Sequence, residues 1–284
     1  MTLSNSKSMA TQVTPESPIN SIPRTPTWHR PTVSPEHGVY VMLFVSFLTG
    51  AAAAQQWTWT TTLAIVCAFA GFQAEHPLIL QIKQRRSWKP RFLLWGSLYA
   101  GLSLGIAAYL YWQTPILLWL YLGAIGAFLI DAISVLYRQQ KALWNEFLTF
   151  AAVCLAAPFA TIATTGTWTV SLLGLWLLNT LFFGSAIFTV KLRKPKSPSP
   201  LSSIVYHASS TLVIFELWYL GWLGPTAAIA FGVVLLKFGL IFWQLKWYKI
   251  TPIQNVALLE TFSAILFLIL TAIALLPVHP PIFT

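Results

Sequence analysis

Nine apolar stretches follow one another from residue 38 onward, each about as long as a helix needs to cross a bilayer. Backbone placed in hydrocarbon must satisfy its own amide and carbonyl groups, which leaves helices or closed barrels. The stretches are continuous rather than alternating and exceed the roughly ten residues of a barrel strand, so they read as helices. They run roughly 38–55, 57–80, 92–112, 116–136, 145–164, 168–190, 203–222, 226–245 and 253–276. The expected fold class is all-α, a polytopic transmembrane helix bundle of about nine spans. The chain is 56% hydrophobic and only 8% charged, against about 25% charged in a soluble domain. Water is therefore not its solvent.

Residues 1–34 differ from the rest. They are rich in Ser, Thr and Pro, carry Lys7, Arg24 and Arg30, and hold no apolar run of secretory-signal length. Such a composition cannot bury a core. The expected organisation is a disordered cytoplasmic tail over 1–34 and a transmembrane helical domain over 35–284. Cys67 and Cys154 both fall inside apolar stretches and read as small hydrophobes of the bundle. Pro77 and Pro158 should kink the spans that hold them.

The net charge of +10 is a topology signal rather than a nucleic-acid one, because the basic residues sit in short connections. The tail and the loops after spans two, four, six and eight hold all but one of the 17 Lys and Arg residues. The exception, Lys237, lies inside span eight. Positive charge marks the cytoplasmic side, so the N-terminus belongs in the cytoplasm and the C-terminus on the opposite side. Trp57, Trp59, Trp112, Trp168, Trp218 and Trp222 fall near the outer ends, where interfacial anchors belong.

Only seven acids are present. Glu36, Glu75, Asp131 and Glu146 map to the cytoplasmic ends of spans one, two, four and five. Glu216 maps deep in span seven and Glu260 to the inner third of span nine. Lys237 lies about 13 residues before the connection near residue 250 and Glu260 about 10 after it, so their depths differ by roughly 4–5 Å. This predicts an intramembrane Lys237–Glu260 ion pair, whose role is structural, or in transport or substrate binding.

The cytoplasmic rim gathers chemistry-bearing residues. Glu36, His37, Glu75, His76, Glu146 and His207 are the candidate catalytic groups. Imidazole beside carboxylate suits acid–base work near neutral pH, or a divalent metal such as Mg. Arg138, Asn145, Lys191, Arg193 and Tyr206 are the candidate substrate-binding groups, since guanidinium and ammonium hold anionic heads. The zinc HExxH, GxSxG and P-loop signatures are absent from the sequence.

Pro35-Glu36-His37-Gly38 at span one, Glu75-His76-Pro77 in span two and Arg138…Asn145-Glu146 before span five resemble the YwiC-like family of integral membrane proteins. Val190-Lys191-Leu192-Arg193 and Tyr206-His207 add to the likeness, which covers roughly residues 33–275. More distantly, nine helices with a polar cytoplasmic end resemble the UbiA-type intramembrane prenyltransferases. Arg30-Pro31 and the Lys191/Arg193 end share in this. That resemblance implies a UbiA-like arrangement, with loops after spans two and six capping a site where two Asp-rich motifs hold magnesium and diphosphate. This chain departs from it: Asp131 is the single aspartate, Glu75-His76 stands near the first motif, and no acid stands at the second.

Three function classes follow. One is an enzyme or binding protein with a cytoplasmic-side polar pocket for a lipophilic, isoprenoid- or quinone-like substrate. The second is a transporter using Glu216, Lys237 and Glu260, against which no internal repeat or paired broken helices are visible. The third is a non-catalytic assembly or scaffold protein. There Glu36 caps a helix and Gly38 permits close packing. The expected partners are membrane lipid or a lipophilic substrate, not nucleic acid, in a bacterial-type inner membrane, plasma or thylakoid.

Overall fold

The computed structural model describes residues 30–84, 87–193 and 200–276. The tail up to residue 29, Arg85, Arg86, Lys194, Lys196 and Pro277 lie outside the described residues. Among the described residues there are twelve α-helices and no strand. In order they are α1 His37–Ala54, α2 Trp59–Lys83, α3 Pro90–Gln113, α4 Leu118–Leu136, α5 Leu143–Cys154 and α6 Ala156–Thr165. Then come α7 Val170–Lys191, α8 Leu201–Tyr219, α9 Pro225–Ile229, α10 Gly232–Trp243, α11 Leu245–Ile250 and α12 Ile253–Leu275. A 3-10 turn, Pro115–Leu117, leads into α4.

Two pairs of helices are single rods with a break. α5 and α6 meet at Leu155, three residues before Pro158, whose missing N–H leaves the Cys154 carbonyl without its helical donor. α9 and α10 meet at Ala230 and Phe231. Leu155 keeps φ −58°, ψ −15° and Ala230 keeps φ −58°, ψ −26°, both in the right-handed helical region. The rods are broken but not unwound. α2 runs through Pro77 without a break.

Eight rods are long and apolar enough to cross a membrane. The ninth, α8, has 19 residues, about 28 Å at the helical rise, but Ser202, Ser203, His207, Ser209, Ser210 and Glu216 dilute its apolarity. The nine-span expectation thus becomes eight strongly apolar rods and one mixed one. Basic residues cluster at one end of the bundle, where α1, α3, α5, α8 and α12 begin and α2, α4, α7 and α10 finish. Exposed tryptophans ring both ends: Trp57, Trp59, Trp112, Trp119 and Trp168 at the far end, Trp88, Trp144, Trp243 and Trp247 at the basic end. Amphipathic indoles belong at such boundaries.

α1 is central, packed chiefly on α6 and α12 and also touching α5, α7 and α2. α7 is the most enclosed rod, with 61% of its most apolar window buried, against 11% for α3 and for the rod of α4. Lipid tails are as apolar as leucine, so close backbone approach, rather than exclusion from water, holds helices together here. Three glycines show it. A Cβ at Gly50 would overlap the Ala157 carbonyl where α1 crosses α6, and the Thr161 hydroxyl donates to the Gly50 carbonyl at 2.8 Å. A Cβ at Gly174 would strike the Trp222 carbonyl, and one at Gly184 the Tyr206 hydroxyl and Phe147 ring. Gly38, expected to permit close packing, faces open space instead. It lies in the first turn of α1, before the helix reaches its neighbours.

Gly50→Leu should therefore cost about 1–3 kcal/mol or more, because the obstructing atom is backbone and cannot swing away. Gly38→Ala should be neutral or stabilising by up to about 1 kcal/mol. Thermal unfolding in detergent reads both.

Candidate functional site

Residues 30–36, before α1, are tied to the bundle by hydrogen bonds. Arg91, in the first turn of α3, donates to the Arg30 carbonyl at 2.9 Å and the Pro31 carbonyl at 3.1 Å. The Ser34 amide donates to Gln73 Oε1 at 3.2 Å, Gln73 Nε2 donates to Tyr40 Oη at 2.7 Å, and Tyr40 Oη donates to the Ser34 carbonyl at 2.9 Å. This closed ring fixes Pro35 to Gly38 over α2. Glu36 occupies the N-cap position of α1 but its side chain makes no capping bond.

Glu36 and His37 are exposed, while Glu75 and His76 are half-buried on α2. The carboxylates of Asp131 and Glu36 both act on Glu75, and the Glu36 carboxylate and the Lys83 ammonium both act on His76, with opposite sign. The rim of α1, α2 and α4 is therefore an acidic neighbourhood. Among the described residues no three His, Cys, Asp or Glu side chains stand close enough to share an ion. The expectation of a divalent metal at the Glu-His pairs finds no donor set.

The next residues along the rim are spent on each other. Asn145 Nδ2 donates to Asp131 Oδ1 at 2.7 Å, joining α5 to α4. Lys191 on α7 pairs with Glu146 on α5 at 2.5 Å. Arg138 is different. It sits at φ 60° just past α4, and the Gln139 and Arg138 amides return to the Ser134 and Val135 carbonyls. That closure normally takes glycine. The Arg138 side chain is exposed and makes no hydrogen bond or ion pair among the described residues.

The densest polar set lies along α7. Asn179, fully buried, donates to Thr49 Oγ1 on α1 at 3.1 Å. Two residues on, the Leu181 carbonyl accepts from Tyr206 Oη at 2.8 Å. Ser185 Oγ accepts from Lys237 Nζ at 3.1 Å, and Thr189 Oγ1 lies 3.4 Å from Glu260 Oε1. Lys237 and Glu260, matched in depth by the sequence, meet at 2.7 Å. Lys237 is 3% exposed and also faces the Phe182 ring, 5.6 Å from its centroid. Past the end of α7, Arg193 donates to the Thr251 carbonyl and lies 5.7 Å from the centroid of the Tyr248 ring. Burial and then the Glu260 charge push the Tyr248 hydroxyl up to about 12, outweighing Thr189 and Arg193. It therefore remains a donor at neutral pH.

His207 lies on the flank of this set. Its Nδ1 is 2.7 Å from the Ser203 carbonyl. A carbonyl only accepts, so Nδ1 carries the proton. Nε2 is buried with no hydrogen-bond partner among the described residues. The ring stacks on Phe238 at 3.9 Å, and both Lys237 and Glu260 act on it electrostatically.

The structure thus separates the expected rim pocket into local sets. Glu36, Glu75 and His76 share one neighbourhood, Glu146 pairs with Lys191, and Tyr206 and His207 pack among α7, α8 and α10. Arg138 and His37 stand out in the open. Glu216 is not deep: it lies in the last turns of α8 and is exposed, because the helix stops at Tyr219 rather than near residue 222. Sequence reasoning missed Ser185, Thr189 and Tyr248. The available signal was the four-residue spacing of Ser185, Thr189 and Arg193, which puts the first two on one face of α7 with Arg193 following in register past its end.

The pair sets an asymmetric stability test. Glu260→Gln leaves a buried ammonium without its counter-charge and should cost about 3–5 kcal/mol. Lys237→Met leaves a carboxylate whose side chain is 23% exposed and should cost less. Combining the two should recover much of the loss, as a double-mutant cycle in detergent unfolding would measure.

Residues 33–161 match a family model described as YwiC-like protein. The match spans the segment before α1, all of α1 to α5, and half of α6, so both Glu-His pairs lie inside it and Lys237 and Glu260 outside. No curated protein and no solved structure matches the chain. With eight helices of membrane-crossing length and apolarity, the chain is an integral membrane protein, and its residues 33–161 are similar to the YwiC-like family.

Proposed function

We propose that the protein binds a lipophilic molecule with a polar head, drawn sideways from the bilayer into a groove between α8 and the α9–α10 rod. The observation that carries this reading is the groove itself. Its volume is about 490 Å³, and its lining includes Thr211, Ile214, Phe215, Trp218, Gly232 and Leu235. That volume suits a drug- or lipid-sized ligand. The lining climbs α8 in helical steps from Thr211 to Trp218. One turn below Thr211 stands His207, and three residues beyond Leu235 stands Phe238. These two rings stack one turn beyond the groove's lining. An apolar chain would lie against the walls, and an oxygen-bearing head, as in an isoprenoid alcohol or a quinone-like ring, would reach the unpartnered His207 Nε2.

The basic end belongs in the cytoplasm by the positive-inside rule, in a bacterial-type inner membrane. On this orientation the groove opens in the outer half of the bilayer. Glu36, His37, Glu75, His76 and Glu146, with Arg138, Asn145, Lys191 and Arg193, belong to other elements. In this proposal they serve the cytoplasmic face rather than the groove. A transport reading is favoured by one observation, the buried Lys237–Glu260 pair directly behind His207, since ionisable residues inside a bundle mark ion and substrate paths.

Gly232 offers the test. A Cβ there meets nothing within 4 Å, so Gly232→Phe fills the groove without disturbing the backbone. Protein extracted in mild detergent should retain a lipophilic molecule detectable by mass spectrometry, and Gly232→Phe should lose it at unchanged yield. Equal retention of the same species by the variant would refute the groove.

A further inference from the structure

We infer that a hydrated path leads from the basic end of the bundle to the Lys237–Glu260 pair and stops there, giving the pair water and proton exchange from one side only. This goes beyond the lipophile-binding reading and does not depend on it. The path is drawn by one face of α7. Ser185 and Thr189 stand one turn apart on α7 and Arg193 follows two residues past its end, so the three form a column running roughly 12 Å inward. Each step has its own polar neighbour. Arg193 lies against Tyr248. Tyr248 Oη is within electrostatic reach of Thr189 and Glu260. Thr189 Oγ1 neighbours Glu260, and Glu260 and Ser185 both hold Lys237.

Two buried atoms along this column have no hydrogen-bond partner among the described residues: Arg193 Nη1 and Tyr248 Oη. A third, His207 Nε2, lies on its flank. Buried polar atoms nearly always find a partner in protein or ordered water, and a bridging water needs two to four polar contacts. The column provides them in sequence: guanidinium, phenol, hydroxyl, carboxylate, ammonium.

The column also has an end. Phe182, one turn beyond Ser185, stacks on Phe267 of α12 with centroids 4.0 Å apart at 20°. Lys237 faces the same Phe182 ring. Phe182 and Phe267 are 2% and 0% exposed, so two packed rings seal the bundle at this level. Beyond them lies Thr271, fully buried, its hydroxyl again without a partner among the described residues. It serves as the reference position on the far side of the seal.

Single-cysteine variants of the full chain test this, with Cys67→Ala and Cys154→Ala as the background. Thr189→Cys, Ser185→Cys and Thr271→Cys are placed in sealed vesicles of known orientation. Silver ion or the small methanethiosulfonate ethylammonium reagent is added on one side at a time. A thiol in wet surroundings ionises, and each pKa unit of apolar burial removes about tenfold of the reactive thiolate. Thr189→Cys and Ser185→Cys should therefore react about tenfold or more faster than Thr271→Cys, and only from the basic side. Phe267→Ala should raise the Thr271→Cys rate toward theirs. The inference is overturned if Thr189→Cys is as slow as Thr271→Cys, or if it is reached equally from the opposite side. Should Ser185→Cys fail to accumulate through loss of its bond to Lys237, Thr189→Cys alone decides.

Discussion

One ammonium group, Lys237 Nζ, is held inside a bundle that offers it almost no solvent. A lysine at mid-membrane costs about 2.5–3.5 kcal/mol on insertion scales, so the surrounding helices must supply what water would. They do so from three directions: a carboxylate from α12, a hydroxyl from α7 and the face of Phe182, also from α7. Each contact constrains an element. Glu260 sets the depth of α12 against α10, and Ser185 sets the rotation of α7. Thr189 then meets the other Glu260 oxygen only because it lies one turn from Ser185. The pair is better understood as a registration device than as a store of stability, since a buried ion pair repays little more than its own desolvation.

α7 transmits that register to the rest of the bundle. The same rod that touches Lys237 reaches α1 through Asn179 and Thr49, α5 through Lys191 and Glu146, α8 through the Leu181 carbonyl and Tyr206, and α11 through Arg193 and Tyr248. Close approach makes these contacts geometrically sharp. Gly184 leaves room for Tyr206 and Phe147, and Gly174 for the Trp222 carbonyl. Hydrogen bonds between membrane helices average well under 2 kcal/mol each. Specificity therefore comes from many of them agreeing on one rotation of α7, not from any single bond.

How much of this was legible in the sequence depended on whether helical arithmetic alone could reach it. The spans and the alternation of basic loops follow from length and charge. The Lys237–Glu260 contact follows too, because both residues could be counted from a shared turn and the rise per residue is fixed. Glu216 failed the same counting: its reference point was the end of α8, and Tyr219 gives no sharp stop. Azimuth was harder than depth. Glu36, His37 and Arg138 do lie at the basic end, but the sequence could not say which way they face, and the structure leaves them exposed. Ser185 and Thr189 looked like ordinary small residues in an apolar rod. Only the partner helices reveal that their shared face is the polar one.

His207 lies one turn along α8 from an apolar groove and beside a charged pair. To one side of the His207–Phe238 stack, one turn along α8, begins an apolar groove lined by Thr211 and Leu235. On the other is the charged column along α7. The imidazole is tethered by Nδ1 to the Ser203 carbonyl, which fixes its tautomer and leaves Nε2 as its one free contact. A neutral ring of this kind can accept a hydrogen bond from a head group arriving by the groove. When charged, it would instead sit in the field of Lys237 and Glu260, the one opposing and the other favouring the extra proton. His207 thus stacks on Phe238 while lying within the field of the Lys237–Glu260 pair.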